Sequence, residues 1–187
     1  MQISMSKTRE QFPLSTKKVL KKTVAGTLAI SIILFIIWVV IAIAIGASDG
    51  SSAGILGIAT FGIFGLILLV VFGTYFYQKW YYAVYFYDLT DDFIIIKKGP
   101  ITPSEITIPY ERVQDVYVDQ DLLDRLFGIY DVHLSSATIS SGMEAHIDGV
   151  EKAAADGLRG FLLQTVQQKI GKNRNQNFNN NNNQPNQ

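Results

Sequence analysis

The chain has 187 residues, with 16 Lys+Arg balanced by 16 Asp+Glu, and no cysteine. Disulfides, thiolate chemistry and thiolate-held zinc are therefore excluded, and two histidines, His133 and His146, are too few for most metal sites. The length suits one ordinary domain plus a membrane anchor.

The first segment, 1–22, is basic, with Lys7, Arg9, Lys17, Lys18, Lys21 and Lys22. No charge follows until Asp49, and a second uncharged run continues from there to Lys79. Each exceeds the roughly 20 residues that a spanning helix needs. The first run is too long for a signal h-region and starts after a long polar segment. The expectation is a two-helix transmembrane hairpin over 23–78, with spans at about 24–46 and 54–77. The linker SDGSSAG leaves room only for an antiparallel turn. Lysines flank both outer ends and none lies in the linker. This places both ends on the cytoplasmic face of the cell (inner) membrane in a multi-pass topology. Tyr75 to Tyr82 crowd the exit of the second span, as an interfacial aromatic belt would.

Gly54, Gly57, Gly62, Gly65 and Gly73 fall on one side of the second helix at 100° per residue. Such a face suits close helix packing, either against the first helix or against another chain. Neither span carries a charge, which argues against a transporter or pump.

From about Trp80 the pattern changes. YAVYFYDL reads as a strand, and Thr90-Asp91-Asp92 as a turn. FIIIKK is a second strand, broken by Gly99-Pro100. SEITIPY, RVQDVYVDQ and IYDVHLSS alternate as further strands, and AHIDG is a short last one. LLDRLF is a short helix, with Asp121 as cap and Gly128 as stop. Asp148 to Glu151 reads as the start of a closing helix with an apolar face through Val150, Ala154, Leu158, Phe161, Thr165 and Val166. The Asn/Gln-rich segment 171–187 cannot bury a core and is expected to be a disordered tail.

The stretch from Tyr87 to Ala137 resembles the membrane-flanked bacterial PH-like domain family (YdbS-like). The signals are the Leu89-Thr90-Asp91 turn, the Lys98-Gly99 end of the second strand, Ile108-Pro109 followed by Arg112-Val113-Gln114, and Leu122 to Gly128 ahead of a strand. Two hydrophobic helices before such a domain are also typical of the family. The resemblance covers roughly half the chain, from about Tyr77 to Gln168, and leaves out the Asn-rich tail. It implies an α+β protein: the transmembrane hairpin, then a PH-like bent antiparallel β-barrel with a C-terminal helix over 79–170. It implies no particular biochemical activity.

PH domains suggest phosphoinositide binding, which needs clustered Lys and Arg. Here the first turn is acidic, and acids outnumber bases across the domain. The basic N-terminal segment has the complementary sign, so one expectation is that it folds back onto the domain. Asp119, Asp121 and Asp124 lack the glycine and final glutamate of a calcium loop. No nucleophile elbow or phosphate loop is present, so no catalytic, cofactor-binding or metal-ligating residue is assigned. The expected role is non-enzymatic: protein interaction or self-assembly at the cytoplasmic face. Alternatives are lipid sensing, or an accessory subunit of a transport or envelope complex. The expected partners are the lipid bilayer and a protein or second copy, not nucleic acid. Arg112 and Arg125 are candidate interface residues on the domain.

Overall fold

The computed structural model describes residues 6–46, 53–136 and 145–182. They divide into two compact units: Val19–Ala83, and Met1–Lys18 together with Val84–Gln187. The folded unit is thus built from chain on both sides of the apolar segment. Most of the linker SDGSSAG lies outside the described residues.

The apolar unit consists of two helices, α2 (Lys17–Gly46) and α3 (Ala53–Val84), both long and apolar enough to cross a membrane. Their apolar windows have no buried residue. They run antiparallel, since Gly26 lies against Thr74 while Trp38 Nε1 donates to Thr60 Oγ1 at 3.0 Å. The hydroxyls of Thr23 and Thr27 donate to carbonyls one turn back, at 2.7 and 2.8 Å. Each polar atom is thereby satisfied within its own helix, as an apolar environment requires.

The folded unit opens with a short helix, α1 (Lys7–Gln11), capped by Ser6. After α3 come β1 (Phe86–Leu89), β2 (Phe93–Lys98) and β3 (Ser104–Pro109), which pair antiparallel as one sheet. A 3-10 turn at Tyr110–Arg112 leads to β4 (Val113–Asp119). Then α4 (Leu122–Phe127), β5 (Ile129–Ser136) and β6 (Ala145–Glu151) complete a second antiparallel sheet, β4-β5-β6. The final helix α5 (Lys152–Asn182) packs on the second sheet and the 3-10 turn. The pairings among the described residues make two three-stranded sheets, not one closed barrel ladder.

Strand alternation builds the core. Tyr87, Ile94, Ile96 and Ile108 of the first sheet and Val116, Val132, Leu134 and Ile147 of the second are all buried. Each such side chain contributes about 1.5–3 kcal/mol when fully removed from water. A reciprocal box at Asp121 and Asp124 starts α4, and Gly128 ends it with φ +65.

Four local expectations change. The strand expected at YAVYFYDL starts only at Phe86, because α3 runs on through Val84; Tyr81 and Tyr82 are helical. Extending an existing helix by one turn needs no new nucleus, and the strand begins where Tyr85 and Tyr87 become buried. Asp148 to Glu151 is strand, not a helix start. There Gly149 takes φ +71 at a register irregularity and donates its N–H to Asp131 Oδ1 at 2.7 Å. The buried stripe of α5 is Ala155, Leu158, Leu162 and Val166, which turns Phe161 outward. Finally, α5 continues past 171 to Asn182, so the first part of the expected disordered tail is helical. Propagation adds one backbone hydrogen bond per residue without requiring a core.

Candidate functional site

The N-terminal segment folds back as a strap along the edge of the folded unit. Ser6 Oγ and Thr8 Oγ1 donate to Asp88 Oδ1 at 2.7 and 2.9 Å, and Thr8 Oγ1 accepts from the Leu89 N–H at 3.1 Å. Arg9 Nη1 donates to the Tyr85 carbonyl at 2.7 Å, and the Tyr87 hydroxyl donates to the Phe12 carbonyl. The Phe12 ring lies over Gly157 of α5, where an added Cβ would meet it at 2.7 Å. Leu14 bridges to Val150 on the edge of β6, and the Ser15 N–H donates to the Gly149 carbonyl at 2.8 Å. An edge strand is thereby covered instead of being left open.

The strap ends in a buried ion cluster. Lys18 is 3% exposed and Asp148 6%. The ammonium lies 3.4 Å from Asp148 Oδ2, donates to the Asp148 carbonyl at 3.2 Å, and sits 3.8 Å above the Tyr85 ring. On the other side, His146 Nε2 is 2.6 Å from Asp148 Oδ1, and the Tyr85 hydroxyl donates to the His146 carbonyl at 2.8 Å. Lys18 lies at the start of α2 and Tyr85 directly follows α3. The cluster therefore ties both chain passages, into and out of the apolar helices, to one strand of the domain.

Beyond His146 the rings continue across the sheet. His133 stacks on His146 at 5.4 Å and on Tyr117 at 4.9 Å, following the cross-strand pairs Tyr117↔His133 and His133↔His146. His133 Nε2 contacts Asp119 Oδ1 at 3.1 Å. Each histidine thus has its own carboxylate. Among the described residues, no group of three or more His, Asp or Glu is placed to hold a metal ion. The acids considered for a calcium loop have separate roles: Asp119 on His133, Asp121 as cap, and Asp124 buried within the capping box.

The β1–β2 end of the first sheet is acidic. Asp92 accepts from Lys169 Nζ at 2.7 Å, which holds its carboxyl below the usual range. The two residues help line a pocket of about 280 Å³ with Phe93, Pro109, Tyr110 and Glu111. Tyr110 donates its hydroxyl to the Thr90 carbonyl at 3.0 Å. Burial, with Asp88, Asp91 and Asp92 nearby, pushes that phenol up to about 12.

Arg112 and Arg125 are both exposed but do not form one surface. Arg112 directly precedes β4, and Arg125 lies on α4 beyond the other end of that strand. Arg125 shares α4 with Leu122 and Leu126, which are 84% and 75% exposed. An added Cβ at Gly54, Gly57, Gly62, Gly65 or Gly73 would meet nothing within 4 Å. A Cβ added at Gly26 of α2 would lie 3.4 Å from Thr74 Cγ2 of α3.

Sequence reasoning placed the strap on the domain by charge but did not single out Lys18, Tyr85 or Asp148. Lysines in a flanking segment read equally well as topology signals. The available clue was Phe12-Pro13-Leu14, an apolar patch inside an otherwise polar segment.

A family model described as Bacterial PH domain matches residues 19–166. No curated protein and no solved structure matches the chain.

Proposed function

The chain belongs to the bacterial PH domain family, and from that premise we propose that it is a membrane-anchored, non-enzymatic module for protein interaction or self-assembly at the cytoplasmic face. In this reading α2 and α3 cross the cell membrane as a hairpin, and the two sheets with α5 serve as the PH-like barrel. Three features support the anchor. The apolar windows of both helices are unburied. The Thr23, Thr27 and Thr60 hydroxyls are satisfied within their own helices. The strap and the domain form one unit, so the chain must return to the side from which it entered. Lys17, Lys21, Lys22 and Lys79 put that side in the cytoplasm by the positive-inside rule.

The observation that carries the interaction role is α4. Leu122 and Leu126 lie one turn apart and are almost fully exposed, with Arg125 between them. Exposed apolar side chains clustered beside an arginine, a residue enriched at protein interfaces, suit a contact surface. The buried Lys18 and Asp148, by contrast, are engaged with each other. The test is purification of the full chain from its native membrane in nanodiscs, followed by mass photometry and mass spectrometry. A stoichiometric partner or a defined homo-oligomer is expected, and the Leu122→Asp/Leu126→Asp double variant should lose it. A partner-free monomer, or a complex indifferent to that double change, would overturn the reading.

A further inference from the structure

We infer that the β2–β3 loop, Gly99 to Pro103, is a second membrane contact that seats Ile101 among anionic headgroups beside the anchor. The inference rests on the reading of α2 and α3 as membrane-spanning. It starts from strand register. A single residue, Tyr85, separates the end of α3 from β1. The first β1 residue, Phe86, pairs with Lys97, and Lys98 pairs with Ser104. The loop that joins β2 to β3 therefore lies at the end of the sheet where the chain leaves the apolar helix. The Thr90-Asp91-Asp92 turn lies at the other end, since Leu89 pairs with Ile94.

The two ends differ in chemistry. The far end carries Asp88, Asp91 and Asp92. The near end carries Lys97 and Lys98, with Glu105 3.1 Å from Lys97. A sheet whose basic end is the one that the chain enters after α3, and whose acidic end is the opposite one, suits an anionic leaflet, which attracts lysines within a Debye length. The net acidity of the domain opposes membrane contact only if charge is averaged over both ends.

The loop is also held in shape. Gly99 has φ +96, and a Cβ there would run into the Thr102 carbonyl. Pro100 and Pro103 fix two further φ angles. The Ser104 hydroxyl closes the base by donating to the Lys98 carbonyl at 3.4 Å. Within this turn Ile101 is 70% exposed. A rigid turn that presents one branched apolar side chain just after two lysines can enter an interface without losing conformational freedom.

The absence of cysteine permits a direct test in the full chain. Single variants Ile36→Cys, Ile101→Cys and Asp91→Cys would carry a nitroxide label in nanodiscs with and without anionic lipid. Accessibility to oxygen, which partitions into lipid, is compared with accessibility to a water-soluble nickel chelate. The Ile36 label should lie deep and the Asp91 label in water. The Ile101 label should be shielded from nickel severalfold relative to Asp91, and Lys98→Glu or loss of anionic lipid should reduce that shielding. A water-exposed Ile36 label would overturn the membrane anchor itself. A deep Ile36 label with Ile101 as exposed as Asp91 would overturn the loop contact alone. So would shielding that persists unchanged in detergent monomers.

Discussion

In the hairpin, Phe61 is 80% exposed while Thr23 and Thr27 are buried; in the folded unit, Tyr87 and Ile94 are buried while Asp91 and Asp92 face outward. The two regions of one chain follow opposite burial rules. Apolar groups gain by burial only where the surroundings are water. Where the surroundings are hydrocarbon, the polar atom is the one that must be enclosed. The contrast also separates two kinds of buried polarity. Thr27 satisfies its hydroxyl locally, on its own helix. Lys18 finds its partner across 130 residues of sequence, in Asp148, which also faces His146 Nε2 at 2.6 Å.

The largest expected effect comes from removing the strap. Deleting Met1 to Thr16 should abolish much of the hydrogen-exchange protection in β1 and β6, since it strips Ser6, Thr8 and Leu14 from their edges. Protection unchanged from the full chain would mean that the strap is not part of the folded unit. Next is Lys18→Met, which removes the ammonium beside the buried Asp148 carboxylate. A loss of about 3–5 kcal/mol is expected in denaturant titrations of the domain. Adding Asp148→Asn should recover part of that loss, and an additive double variant would argue against the pair.

Alkaline pH probes the acidic end. Tyr110 titrates higher in the folded chain than the ordinary 10, so its contribution is fully present below pH 10 and is lost as pH rises toward 12. A shift of this size corresponds to about 2–3 kcal/mol. Tyr110→Phe should flatten the alkaline limb of a stability profile over that window. A limb of unchanged slope would show that the phenol is not held neutral by its surroundings. The smallest effect should be Thr27→Val in the hairpin, at about 0.6 kcal/mol or less, because the hydroxyl is bonded within its own helix. A loss as large as that of Lys18→Met would erase the distinction between the two regions.

The contrast explains what was legible in the sequence. Long uncharged runs and strand alternation are local signals, so the two helices and the order of β2 to β5 could be read from residue patterns. Asp121 and Gly128 were legible as caps for the same reason. Partnerships set by tertiary packing were not. Asp148 carries the local signature of a helix start, yet the lysine that claims it is 130 residues away. On α5, Phe161 looked like a core residue, but the buried stripe lies one position on, at Leu162. The strap's Phe12 covers Gly157 on the same helix, a contact with no local signature.

The Lys18–Asp148 pair also sets an order of events during synthesis. At about 5–20 residues per second, the ribosome finishes Asp148 roughly 6–26 s after Lys18. Until then the lysine lacks that partner, while both apolar helices are made. In the proposed membrane reading, closure requires a chain that has come back to the side it left, and a single crossing would put Lys18 and Asp148 on opposite sides of the bilayer.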